Sequence, residues 1–94
     1  LPIFFTIKAT LYLYKDADQE SVLKTIEEKL KEYKKTLSEK LGKNVIRTQI
    51  IAILNSVYGV FKVDLNMEAD IDIKEHQWAN LKSWEINIGG YADE

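Results

Sequence analysis

The sequence predicts an α+β two-layer sandwich: a small, mostly antiparallel sheet of about three strands with two helices on one face, in the order β-α-α-β-β. Three observations carry this. Residues 3–14, IFFTIKATLYLY, place Phe5, Ile7, Ala9, Leu11 and Leu13 on one face and Thr6, Lys8, Thr10, Tyr12 and Tyr14 on the other, the period of a half-buried strand. From Gln19 to Leu41 the apolar residues Val22, Ile26, Leu30, Tyr33, Leu37 and Leu41 recur every three or four positions, the stripe of an amphipathic helix. The period of burial then changes at the corner Val57-Tyr58-Gly59-Val60, from helical before it to alternating after it.

The first strand ends in the polar turn Lys15-Asp16-Ala17-Asp18, where Asp18 is the expected N-cap and Glu20 complements the positive helix terminus. The solvent side of the long helix is dense in Lys and Glu. Its pairs Glu20 with Lys24 and Glu27 with Lys31 each contribute about 0.2–0.5 kcal/mol. Gly42 is the expected helix stop. A shorter helix beginning between Asn44 and Thr48 then carries Ile46, Ile50, Ile53, Leu54 and Val57 on one face. Gly59, which reaches positive φ without steric cost, turns the chain into a second strand with Phe61, Val63 and Leu65 facing inward. Residues 67–75 are acidic, with a brief Ile71 and Ile73 alternation that fits a short edge strand or an extended arm. Trp84, Ile86 and Ile88 define a third strand, which Gly89-Gly90 releases into a polar tail. The sequence leaves open whether the second strand runs parallel or antiparallel to the first; the expectation is antiparallel.

Ninety-four residues fit one domain, residues 1–94, with a single small core. With 13 basic and 15 acidic residues and a net charge of −2, the chain offers no general field for a polyanion, so nucleic acid is not an expected partner. The absence of cysteine excludes disulfides, thiolate metal ligands and a cysteine nucleophile. No apolar run approaches the roughly 20 residues of a membrane-spanning helix, and no membrane partner is expected. Position 1 is Leu and the only Met is Met67, from which the chain is expected to be the C-terminal fragment of a longer protein.

Catalytic chemistry finds few footholds. His76, the sole histidine, stands in the polar stretch Lys74-Glu75-His76-Gln77 with no serine motif of the G-x-S-x-G kind, and reads as a solvated loop residue. Asp70 and Asp72 lack the further oxygens and the glycine turn of a calcium loop and read as the outward side of a short strand. Gly89-Gly90 has neither the lysine nor the following helix of a phosphate loop. Lys29, Lys31, Lys34 and Lys35 interleave with Glu27, Glu28, Glu32 and Glu39, which is a solvated face. No catalytic residue, metal ligand or cofactor is therefore expected. The aromatic residues are more informative. If helices cover the Phe5 and Leu11 face, Phe4, Tyr12, Tyr14 and Tyr58 lie on the other side, either as a subunit interface or as singly exposed rings. Trp84 is expected in the core, and Trp78 as a loop plug or a contact. Tyr12, Tyr14, Tyr58, Trp78 and Tyr91 are the candidate protein-interface residues.

In order along the chain, the strand near Phe5, the helix entered at Asp18, Gly42 with Val45 and residues 50–54, Val57-x-Gly59-Val60, and the closing stretch of residues 77–91 resemble the C-terminal part of the baseplate assembly protein J family of contractile-tailed phages. The corner departs from that pattern in having Tyr58 where the family often has proline. The resemblance implies a non-enzymatic component of the baseplate wedge of a phage or prophage tail. It would be assembled in the host cytoplasm and contact other baseplate or tail proteins, and a homo-oligomer is compatible with it. The alternatives are a small regulatory, ligand-binding α+β module, whose sign would be a pocket with convergent polar groups at strand ends, and an RNA-binding sheet, which the acidic balance disfavours.

Overall fold

Alternation along the first strand decides the layering. The computed structural model describes residues 1–92, in which β1 (Pro2–Leu13), α1 (Gln19–Ser38), α2 (Arg47–Asn55), β2 (Val60–Leu65) and β3 (Trp78–Tyr91) follow one another. This is the predicted β-α-α-β-β order. Phe5, Ile7, Ala9, Leu11 and Leu13 of β1 are all buried. Opposite them α1 buries Val22, Ile26, Leu30, Tyr33 and Leu37, and α2 buries Ile50 and Leu54. Both helices lie on this side of the sheet, α1 along β3 and α2 along β2. Each fully buried Leu or Ile contributes about 1.5–3 kcal/mol by leaving water, so this shared face is the main source of stability.

The sheet order is β2-β1-β3, with β1 in the centre. β2 returns antiparallel to β1, as expected, pairing Ala9 with Leu65 and Leu11 with Val63. β3 runs parallel to β1 along its whole length, from Pro2 with Trp78 to Leu13 with Tyr91. The sheet is therefore mixed rather than mostly antiparallel, and its longer pairing is the parallel one. The reason lies in residues 66–77. No tight turn joins β2 to β3; an extended arm carries the chain back to the start of β1 first. The arm is fastened by the Val45–Ile71 bridge, by Asn44, whose side-chain oxygen accepts the Ile73 N–H at 2.7 Å, and by Arg47, whose guanidinium donates to the Met67 carbonyl.

Several local expectations are corrected. α1 ends at Ser38, with Glu39 as C-cap, so Leu41 leaves the stripe and is 66% exposed. Gly42 is not the helix stop; it sits beyond the helix and donates its N–H to the Gln77 carbonyl at 2.8 Å, tying this turn to the entry of β3. β3 begins at Trp78, which is thus a strand residue and no loop plug, and it passes through Gly89-Gly90 to Tyr91. Finally, register slips at Phe61. Val60 pairs with Leu13 and is buried, and Phe61 becomes the extra residue of a bulge, 45% exposed. Asp18 does cap α1 by position, but its carboxylate accepts from the Ser21 hydroxyl at 2.9 Å rather than from a backbone N–H. The tail expected after Gly89 is strand as far as Tyr91; Asp93 and Glu94 lie outside the described residues.

Gly59 makes the corner between the layers. Its φ is +100°, and a β-carbon there would lie 3.0 Å from both the Ala17 Cβ and the Val22 Cγ2. Its carbonyl accepts the Tyr14 N–H at 2.9 Å, so the corner is fastened to the end of β1.

Candidate functional site

The side of the sheet away from the helices is the face on which even-numbered residues of β1 stand. Phe4, Thr6, Lys8, Thr10 and Tyr12 run along its middle, with Tyr14 just beyond the strand. Parallel register places Trp78, Asn80, Ser83, Glu85 and Asn87 of β3 beside them. Bulges in β3, after Leu81 and after Ile88, each add one residue and shift the alternation by one, which keeps Trp84, Ile86 and Ile88 on the helix side. Among the described residues no helix covers the outer face.

Its aromatic residues are positioned by neighbours. Tyr12 lies against Gly89, where a β-carbon would meet the Thr10 Cγ2 at 2.6 Å and the Tyr12 ring at 2.8 Å. Glycine is required there because the ring occupies the space a side chain would take. From the other side the Lys62 Nζ sits 5.5 Å from the ring centroid, a cation–π contact of about 0.5–1 kcal/mol at such a site. Lys62, Tyr12 and Gly89 thus form a row across all three strands. At the end of the sheet Tyr14 and Phe61 meet edge to face, with centroids 5.4 Å apart and planes at 74°. The bulge that expelled Phe61 from the core created this pair. Tyr58, on the corner beside it, is 91% exposed. At the opposite end Phe4 is 60% exposed, and Trp78 shares its face.

The predicted interface residues are therefore only partly gathered. Tyr12 and Tyr14 stand on the open face, Tyr58 projects from the same end, and Trp78 occupies the far end. Tyr91 pairs with Leu13 on the helix side, and its hydroxyl donates to Gln19 Oε1 at 3.4 Å, so it belongs to a different surface. Phe61 and Lys62 were not anticipated. A signal did exist: Val60 and Val63 are both β-branched and stand three apart, where unbroken alternation wants two or four.

Elsewhere, polar side chains support structure. Asp70 accepts the Arg47 N–H at 2.7 Å and so caps α2, instead of standing on a strand. His76 is exposed, and its carbonyl faces the N-terminal amine at 3.5 Å. Among the described residues no group of three or more His, Cys, Asp or Glu is placed to hold a metal ion. A concavity of ≈ 430 Å³ is an open groove between the helices, lined by residues including Lys29, Tyr33, Lys43 and Gln49. It lies away from the strand ends. Tyr33 is buried in its floor with its hydroxyl screened from solvent and without a hydrogen-bond partner among the described residues. Burial holds the phenol above its ordinary pKa. Among the described residues no helix is long and apolar enough to cross a membrane.

An open sheet face bearing pre-positioned aromatic rings, on a mixed sheet backed by two helices, defines the class: an α+β domain that presents one uncovered sheet face. The sequence model for the Baseplate J-like protein C-terminal domain matches residues 5–87, from the first core residue of β1 to well inside β3. The chain belongs to that family, and with it to the structural parts of phage baseplates. No curated protein matches the chain.

Proposed function

We propose that this chain is the single α+β domain at the C-terminal end of a longer wedge component of a contractile phage or prophage tail. It catalyses nothing and works by protein–protein contact during baseplate assembly. Its location would be the tail baseplate of the virion, reached after assembly in the host cytoplasm, and its partners other baseplate or tail proteins. The observation that carries this reading is the ordered aromatic end of the open sheet face, where Tyr14 and Phe61 pack on each other while both remain solvent-facing. Rings held in place before contact lose little side-chain entropy on docking, and aromatic residues are enriched in interface cores.

Tyr14→Asp in the full-length protein tests it, co-expressed with the products of neighbouring genes and sized as a complex. The expected result is a loss of association of about tenfold or more, since a carboxylate would be desolvated in the contact. Thermal stability should change little, because Tyr14 lies outside the core. Unchanged association would overturn the assignment of this face.

A further inference from the structure

β2 is half as long as β1, and this leaves part of the central strand unpaired. β2 pairs with β1 from Ala9 to Leu13, and the Asn66 N–H closes the last bond on the Lys8 carbonyl at 2.8 Å. Beyond that point residues 2–7, about 20 Å of strand, pair only with β3. Backbone groups alternate sides along a strand. Lys8 and Tyr14 bond toward β2 and Leu13 toward β3, so the N–H and C=O of Phe4 and Thr6 point into the space that β2 does not reach. Among the described residues these groups have no partner there, and both residues are exposed.

The sheet's other free edges are protected. β2 presents Lys62 and Asp64 and is bulged at Phe61; β3 presents Lys82 and Glu85 and is bulged twice. Charges and bulges of this kind deter strand addition. Ile3-Phe4-Phe5-Thr6-Ile7 has none of them: no charge, no bulge in its own backbone, and residues that all favour strands.

We propose that this half-edge of β1 is a strand acceptor, filled in the assembled particle by an extended segment of another protein with basic residues flanking an apolar–polar alternation. The charge follows from the arm that leaves the closed end of the slot: its exposed Glu68, Asp70 and Asp72 outnumber the two bases at that end, Lys8 and Arg47, the latter held on the Met67 carbonyl. The proposal rests on the assembly role only for the existence of a partner; it concerns a backbone edge and not the Tyr14 face.

The test uses the 94-residue chain and a synthetic peptide of alternating valine and threonine with lysines at both ends, beside a glutamate-flanked peptide of the same core. Amide hydrogen exchange is read residue by residue. The lysine-flanked peptide should slow exchange at Phe4 and Thr6 by about tenfold or more while Ile7 and Leu11, already bonded to β3, hold their rates. The glutamate-flanked peptide should bind at least about fivefold more weakly in low salt. Thr6→Pro removes the donor that faces the slot and should abolish protection at Phe4; Thr6→Lys, which charges the edge and leaves the backbone intact, should do the same and serves if the proline variant does not fold. Protection on the outer edge of β2 or β3, equal binding of both peptides, or binding indifferent to both variants would overturn the proposal. Concentration-dependent protection of Phe4 and Thr6 without peptide would also overturn it, in favour of a second copy of the chain. The Tyr14→Asp experiment is unaffected by any of these results, so the two readings fail separately.

Discussion

Replacing Gly59 by alanine tests the corner on which the two layers and the aromatic end both depend. At φ +100° a side chain is strained whatever the space, at about 1–3 kcal/mol. The added methyl would also press on the Ala17 Cβ and Val22 Cγ2 at 3.0 Å; both belong to packed, unbending groups, and overpacking of this kind costs about 1–3 kcal/mol. Alanine recovers about 0.4–1 kcal/mol by stiffening the unfolded chain. The net destabilisation is about 1–5.5 kcal/mol, against a total of about 5–14 kcal/mol for a domain of this length. Thermal unfolding followed by tryptophan fluorescence should show Tm lowered by about 4 °C or more, at roughly 4–8 °C per kcal/mol. A fall of less than about 2 °C would refute the reasoning. The steric part is separable: adding Val22→Ala to the variant should recover about 1 kcal/mol relative to additivity, and strict additivity would mean that the contact with Val22 costs nothing.

The corrected end of α1 makes a paired prediction: Leu37→Ala, at a fully buried position, should cost about 2–5 kcal/mol in urea unfolding, whereas Leu41→Ala should stay within about 0.5 kcal/mol. Tyr33→Phe removes a buried hydroxyl that has no partner among the described residues and should leave the fold equally stable or more stable by up to about 1 kcal/mol. The same residue gives a pH dependence. Below the ordinary tyrosine value of about 10 both folded and unfolded chains keep the Tyr33 proton, and its contribution is constant. Above it the unfolded chain loses the proton first, so stability falls by up to about 1.4 kcal/mol per pH unit until the raised folded value is passed. Denaturation midpoints of the two proteins compared between about pH 9 and 11 should diverge, with the phenylalanine variant falling less.

The elements whose periodicity runs unbroken were legible in the sequence. The alternation of Phe5 to Leu13 and the stripe from Val22 to Leu37 appear in the structure residue for residue, because burial on one side of a regular element repeats with that element's own period. What was missed involves one-residue slips. A single extra residue at Phe61 turns that ring outward and puts Val60 inward while Val63 and Leu65 keep the expected side, and another after Leu81 hides the fact that Trp78 and Trp84 belong to one strand. Leu41 satisfies the spacing rule but lies past the cap, and spacing alone does not report where the backbone stops being helical. The direction of β3 depends on where residues 66–77 travel, and that path is set by bonds from Asn44 and Arg47, twenty or more residues away, which no local pattern records. Of the candidate interface, the even-numbered face of β1 was legible from alternation. Phe61 was not, and Trp78, a candidate contact, was not legible as a strand residue, for the same reason of slipped register.

The parallel union of β1 with β3 has a mechanical meaning. Because the strands run side by side in the same direction, the start of β1 and the end of β3 lie at opposite ends of a body 47 Å long. Tension applied between those two points loads the β1–β3 hydrogen bonds in shear, so that they share the force along the strand instead of opening one after another from an end. Joined the other way round, the same two strands would peel like a zip. A part built on this sheet is stiff along its long axis, and a pull at one end is delivered at the other.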